Sequence, residues 1–191
     1  MDRQKICKLI QISTDFIFIF LSFPISLLIL YWGADNVYEY LPKEQFDQTF
    51  LIHFFLSIAG VIWFWIRLRH YTYRKPFWAE LKEILRAIIV LATLELSIMA
   101  FAKFYASRYL WLLTWIICLI IMPLGRVLIK KFLFRIGWYL KNTIIIGGRR
   151  NAIDAYNALV SEPYLGLKVK YFISLNKSEE LKELNIPIID E

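Results

Sequence analysis

The chain has 191 residues, 59% of them hydrophobic and 17% aromatic, with a formal net charge of +7 and a mean hydropathy of +0.51. Soluble domains are roughly 45–50% apolar. The excess here lies before residue 141, which excludes a single soluble domain and predicts a membrane domain followed by a small soluble unit. The cations cluster at the ends of apolar runs, a pattern of membrane topology rather than of a nucleic-acid partner. Cys7 and Cys118 are far apart, one juxtamembrane and one inside an apolar run, so they read as inert thiols, neither a disulfide nor a metal site.

Four spans follow in chain order: Ile17 to Trp32, extendable back through Asp15 to Ile10; Thr49 to Ile66, with His53 as its ionisable group; Ala87 to Ala102, containing Glu95; and Tyr109 to Gly125. A bilayer core needs about 17–25 helical residues, so each span borrows from its flanks. Leu30-Tyr31-Trp32-Gly33-Ala34 is a poor small-residue cleavage site, which favours a retained first helix over a signal peptide. Pro24 and Pro123 are expected to kink their helices.

Orientation follows from Lys and Arg. Fourteen fall on one side: Arg3, Lys5 and Lys8 before the first span, six in residues 67–86, and Arg126, Lys130, Lys131, Arg135 and Lys141 after the fourth. Three fall on the other: Lys43, Lys103 and Arg108. The positive-inside rule then predicts that both termini are cytoplasmic, in a multi-pass membrane protein.

Residues 67–86, RLRHYTYRKPFWAELKEILR, combine six cations with Tyr71, Tyr73, Phe77 and Trp78. Aromatics settle at the headgroup level and cations meet anionic lipid there. Arg74, Lys75, Pro76, Phe77, Trp78 and Glu80 are the candidate interface and assembly residues. Pro76 suits a first helical position and Glu80 the positive end of the helix dipole. Phe77, Leu81, Ile84, Leu85 and Ile88 follow at helical spacing, against a polar face of Lys75, Glu80, Lys82, Glu83 and Arg86. The third helix is therefore expected to start as an amphipathic lead on the bilayer surface.

Residues 126–140 repeat the theme. At about 100° per residue, Arg126, Lys130, Lys131 and Arg135 share one half of a helix, and Leu128, Ile129, Phe132, Leu133 and Ile136 the other. Either this helix lies in the interface with its cations toward headgroups, or it continues the fourth helix and packs on the soluble unit. Gly137 is the expected stop or bend.

Two intramembrane acids are candidates by the cost of burying charge. Glu95, with no second mid-span charge in view, reads as a functional acid or as a protonated or hydrogen-bonded group at a helix contact. Asp15, near the cytoplasmic end, is expected to pair with a juxtamembrane cation. His53 and His70 lack ligand-spaced partners, so no metal is expected on them.

After Leu140 the pattern changes. Thr143 to Ile146 reads as a strand, Ala152 to Val160 as a helix with Asn151 as N-cap, Leu167 to Ile173 as a second strand, a short helix from Ser178, and Ile186 to Ile189 as a third strand. This β-α-β-α-β order over residues 142–191, after a membrane domain of residues 1–141, is an incomplete Rossmann-like α/β unit. Gly147 and Ala152 match the ends of the dinucleotide fingerprint, but Arg149 holds the middle glycine position and no acid follows the second strand. Gly147, Gly148, Arg149 and Arg150 stand either as a weak phosphate or nucleotide site or as a plain strand–helix turn. A sheet that stops on its third strand lacks a covering helix, and the chain is read as truncated there.

The four spans, the run YTYRKPFWAEL at residues 71–81, the Ser107-Arg108 pair, Pro123 with Arg126, and Ile144 to Gly148 occur together. In this combination the chain resembles the N-terminal part of the bacterial polyprenyl-phosphate hexose-1-phosphate transferases, specifically the undecaprenyl-phosphate galactose phosphotransferases of the large monotopic phosphoglycosyl transferase type. The resemblance implies transfer of a sugar 1-phosphate from a UDP-sugar to undecaprenyl phosphate, starting O-antigen, capsule or exopolysaccharide synthesis. It also implies that catalysis resides in a later domain with an Asp-Glu pair, Mg²⁺ and a re-entrant helix. The Asp190-Glu191 pair here lacks a flanking basic motif, so no catalytic residue and no cofactor carries over. The implied role is a membrane-anchoring, dimerising and regulatory region, inactive by itself, that meets polyprenyl phosphate and UDP-sugar only through the catalytic domain. A non-enzymatic scaffold for polysaccharide assembly and a nucleotide-sugar sensor are the alternatives.

Overall fold

A computed structural model describes residues 3–33, 37–104, 107–147, 150–174 and 187–190. Four long helices come first: α1 (Arg3–Gly33), α2 (Lys43–Ile66), α3 (Phe77–Phe101) and α4 (Arg108–Arg135). Each covers its expected span to within one residue, Ala102 being the C-cap of α3, and starts before it, because a helix satisfies its own backbone groups and continues wherever a polar flank can reach headgroups or a buried partner. Two compact units divide the chain, residues 1–129 and 130–191, so the last residues of α4 group with the second unit.

In the first unit one core draws on all four helices, through Ile19 of α1, Phe64 of α2, Ile84, Ile88 and Leu91 of α3, and Trp115, Cys118 and Met122 of α4. Polar groups share this interior with the apolar core, and large apolar side chains cover the outside. Asp15, Ser22, Ser26, His53, Ser57, Glu95, Thr114 and Arg126 are buried, while Leu28, Phe55, Ile62, Ile89, Phe101, Leu124 and Leu128 are exposed. That distribution suits lipid as solvent, where polar groups must be satisfied inside and apolar ones need no cover. All four helices are long and apolar enough to cross a membrane.

The helices alternate in direction. One end of the unit holds Phe23, Leu41 and Leu110 in a common cluster, with Tyr40 edge-on to Tyr109 at 6.1 Å. The other holds Asp15, the 67–76 connection, Glu80 and Arg126. Helix spacing is tight at two glycines. A Cβ on Gly60 would come 2.8 Å from Leu91 Cδ1, and one on Gly125 would fall 2.5 Å from Cζ of the Phe18 ring. Pro76 precedes α3 as its N-cap, with φ −53° and ψ 147°, one position earlier than expected.

The second unit begins with the end of α4. Gly137, at φ 74°, takes the left-handed conformation expected of a helix stop, and Trp138 N–H donates back to the Leu133 carbonyl. Strand β1 (Lys141–Ile146), helix α5 (Arg150–Ser161), strand β2 (Leu167–Ser174) and strand β3 (Ile188–Asp190) follow, in a parallel sheet of order β1-β2-β3. The register slips between Thr143 and Ile144, which lets Phe172 turn inward onto Ala152 and Tyr156 while Lys168 and Lys170 stay exposed. Helix α5 covers one sheet face. Ile144, Ile146 and Tyr171 are exposed. Asn151 lies inside α5, which begins one residue earlier than its expected cap. The helix expected from Ser178 falls outside the described residues, as does Ile186, the expected start of the third strand.

Candidate functional site

The site that organises the first unit is a buried charge cluster where the 67–76 connection meets three helices. Arg126 of α4 is 7% exposed, and each of its nitrogens has an acceptor. Nε donates to Asp15 Oδ1 at 2.9 Å, Nη2 to Asp15 Oδ2 at 2.5 Å, and Nη1 to Glu80 Oε1 at 2.8 Å. Tyr71 Oη donates to Asp15 Oδ2 at 2.6 Å, and the guanidinium lies over the Phe64 ring at 4.7 Å. A planar fork with five donors matches two carboxylates and an imidazole in a way that a lysine cannot.

His70 extends the cluster outward. Its Nδ1 accepts from Arg126 Nη1, and its Nε2 donates to Glu83 Oε2 at 2.6 Å, which fixes the tautomer. Lys75 Nζ donates to both oxygens of the same Glu83, at 2.8 and 2.6 Å. Burial, then the neighbouring Arg126 charge, push the His70 pKa down to about 4, so the ring stays neutral at physiological pH. Burial and the adjacent Asp15 charge push the Tyr71 hydroxyl well above its ordinary range, so it remains a donor.

A second polar set sits between Asp15 and the far end. His53 Nε2 donates to the Ile19 carbonyl at 3.0 Å and also approaches Ser22 Oγ at 3.3 Å. A carbonyl only accepts, so Nε2 carries a proton and Nδ1 faces Glu95 Oε1 at 3.1 Å with one proton between them. Trp115 Nε1 donates to the other carboxyl oxygen at 2.5 Å. Ser26 and Thr114 pair at 2.7 Å between α1 and α4.

These contacts revise three expectations. Arg126 does not join Lys131 and Arg135 on an exposed cationic face. It turns inward, because two buried acids need a counter-charge and outweigh its neighbours' preference for headgroups. Glu80 likewise leaves the polar face of the α3 lead and is buried, while Phe77 and Trp78 are exposed and touch edge to face at 5.1 Å. Glu95 does have a mid-span partner, His53. Asp15 has the cation partner expected of it. Of the other interface candidates, Arg74 and Lys75 are half-buried and Pro76 is exposed. The missed members, His70 and Arg126, carried one signal in sequence. With alternating helices, Asp15, residues 67–80 and Arg126 must all fall at the same end.

Chemically the cluster is saturated. Arg126 occupies the position between the carboxylates that a cation would take. Among the described residues no group of three or more His, Cys, Asp or Glu is arranged to hold a metal ion. In the second unit Gly147 sits at the β1–α5 turn with φ 148°. Its N–H is spent on the Ile173 carbonyl, and a Cβ there would lie 3.5 Å from that of Ala152. Arg150 is exposed in the first turn of α5, and Gly148 and Arg149 lie outside the described residues.

Four long apolar helices with paired polar groups inside and apolar side chains outside, followed by a parallel α/β unit, define a multi-pass membrane protein. No protein-family model matches the chain. Three curated proteins align along nearly its whole length. They are an uncharacterized sugar transferase of Haemophilus influenzae, 51% identical over all 191 residues, and the undecaprenyl-phosphate galactose phosphotransferase of Salmonella typhimurium, 43% identical over 98% of the chain. The third is the UDP-galactose-lipid carrier transferase of Erwinia amylovora, 37% identical over 93%. The chain spans 41%, 39% and 38% of these relatives' own lengths. By this similarity the chain corresponds to the N-terminal region of longer sugar transferases.

Proposed function

We propose that the chain is the membrane-anchoring and regulatory N-terminal region of a sugar-1-phosphate transferase. The whole protein would move galactose 1-phosphate, or another hexose 1-phosphate, from a UDP-sugar to undecaprenyl phosphate and so start O-antigen, capsule or exopolysaccharide assembly. The observation that carries this is similarity, at 43% and 37% identity over 98% and 93% of the chain, to two relatives named for galactose transfer. In this reading transfer takes place in a catalytic domain outside the aligned region, with Mg²⁺ bound there. UDP-sugar and polyprenyl phosphate meet this chain only through that domain.

The excess of Lys and Arg at the Arg126 end of the bundle supports cytoplasmic termini in a bacterial inner membrane. The saturated Arg126 cluster supports a positioning role rather than chemistry, since every strong donor and acceptor in it is already engaged. A homodimer is part of the proposal, as the arrangement the family implies. The test is UMP release from UDP-galactose and undecaprenyl phosphate. Activity is expected from this region joined to the rest of its reading frame and not from residues 1–191 alone. A following frame without transferase activity would overturn the reading. Reporter fusions at Lys141 and in residues 34–42 test sidedness, with a cytoplasmic signal expected only at Lys141.

The strand–turn–helix at Gly147 supports a second reading, a nucleotide-sugar sensor. Equilibrium binding of UDP-galactose to the complete cytosolic domain tests it, and no binding would exclude it.

A further inference from the structure

We propose that the outer face of α3, at the end nearest Pro76, is a binding site for an anionic diacyl phospholipid, with Lys82 and Arg86 holding its phosphate. This rests on the membrane reading of the bundle alone and not on which way the bundle faces or what the whole protein catalyses.

Trp78, Lys82 and Arg86 recur every fourth residue and so form one stripe on the helix. Leu85, Ile89 and Val90 continue it, and these side chains line a shallow groove open to the outside. The stripe faces away from the core. Lys82 and Arg86 are exposed, and Trp78 and Ile89 are 74% and 58% exposed.

Charge is segregated across this helix. The acids Glu80 and Glu83 are turned inward and engaged by Arg126, His70 and Lys75. The two cations on the outer face have no ion pair and no hydrogen bond among the described residues. An exposed groove with two uncompensated positive charges is complementary to an anion.

Depth identifies the kind of anion. At about 1.5 Å per residue, Trp78 to Ile89 spans roughly 16 Å. Arg86 is the last charge before the uncharged run Ala87 to Leu94. The stripe therefore crosses from headgroup level into hydrocarbon: indole at the interface, cations at the phosphates, Ile89 and Val90 along an acyl chain. A ligand that fills it needs a phosphate and a tail on one molecule. A zwitterionic headgroup brings its own cation and leaves Lys82 and Arg86 uncompensated, so a net-negative lipid is selected. Two long side chains on one open helix face recognise charge rather than headgroup shape. This favours the anionic phospholipid of the surrounding bilayer over a scarcer phosphomonoester lipid.

The test is native mass spectrometry of the detergent-purified chain with phosphatidylglycerol, phosphatidylcholine and a polyprenyl phosphate added in turn and in competition. Retained phosphatidylglycerol adducts are expected in excess over phosphatidylcholine. Lys82→Gln and Arg86→Gln should each weaken retention about fivefold, Lys82→Arg and Arg86→Lys should keep it, and all four should melt like the parent. Arg67→Gln, an exposed cation at the end of α2, is the control for general surface charge and should change nothing. Equal retention of phosphatidylcholine, an equal loss with Arg67→Gln, or displacement of phosphatidylglycerol by equimolar polyprenyl phosphate would each overturn the proposal.

Discussion

Arg126 and Asp15, 111 residues apart in sequence, form a forked ion pair in which neither side chain is more than 7% exposed. The pair ties the first helix to the fourth. Glu80 adds the third helix through the same guanidinium, and His70 and Tyr71 add the connection between the second and third. One side chain therefore closes the bundle at the end where the chain leaves it for the α/β unit.

Replacing Arg126 should be among the most damaging single changes in the bundle. Arg126→Met leaves Asp15 and Glu80 buried without a counter-charge, a loss of about 3–5 kcal/mol. Arg126→Lys keeps the charge but cannot reach two carboxylates and an imidazole together, so an intermediate loss is expected. Thermal unfolding in one detergent ranks them, parent above Lys above Met. The pair Asp15→Asn with Arg126→Met should cost less than the sum of the two singles. An Arg126→Met protein that melts like the parent would show that the fork holds nothing.

His70 gives the bundle a dependence on acid. Its folded pKa, about 4, lies below its ordinary 6.5. Above about pH 6.5 the ring is neutral in both folded and unfolded chains and contributes no slope. As pH falls from about 6.5 to about 4 the unfolded chain takes up a proton that the folded chain refuses, so stability drops by up to about 1.4 kcal/mol per pH unit. Below about pH 4 both forms are protonated and the His70 slope disappears. His70→Gln can still accept from Arg126 and donate to Glu83, and it removes the titration. The difference in melting temperature between parent and variant should shrink or reverse across that window. A constant difference would mean that His70 does not titrate in this way.

The membrane fold was legible from the sequence because apolar runs and Lys/Arg asymmetry are one-dimensional signals: the four spans, the helical start after Pro76 and the stop at Gly137 all follow from local chemistry. The interior of the bundle was less legible. Arg126 sits at helical spacing with Lys130 and Lys131, and local periodicity assigns all three to one surface. Only the three-dimensional return of Asp15 and Glu80 to the same depth turns Arg126 inward. Glu95 had no visible partner for the same reason, since His53 lies 42 residues away on another helix. In the α/β unit the period-2 pattern located the second strand, but the register slip at Thr143/Ile144 leaves no mark in composition.

Helix α4 can approach α1 only because residue 125 has no side chain. An alanine Cβ there would overlap the Phe18 ring, 2.5 Å from Cζ and 2.7 Å from Cδ2. Gly125→Ala should therefore destabilise by about 1–3 kcal/mol. Gly60→Ala meets the flexible tips of Leu91 and Ile19 instead and should cost less. Phe18→Leu should recover part of the Gly125→Ala loss by making room. Melting temperatures of the three variants decide it, and equal losses at the two glycines would remove the argument from helix spacing.

Glu95 should tolerate loss of its acidity but not of its hydrogen bonds. Trp115 Nε1–H needs an acceptor and His53 Nδ1 shares one proton with the carboxyl, all of it buried. In Glu95→Gln the amide oxygen can accept from Trp115 and the amide nitrogen can donate to Nδ1, so the expected loss is below about 1 kcal/mol. That matches the modest worth of interhelical hydrogen bonds in membranes. Glu95→Leu satisfies neither group and leaves a buried donor and a buried ring nitrogen unpaired, at about 1–3 kcal/mol each. Thermal unfolding with tryptophan emission reads both stability and the Trp115 environment. Gln should melt close to the parent, and Leu should melt lower. If Gln were as damaging as Leu, the charge of Glu95 rather than its hydrogen bonding would matter, and the His53–Glu95 contact would hold the helices as an ion pair.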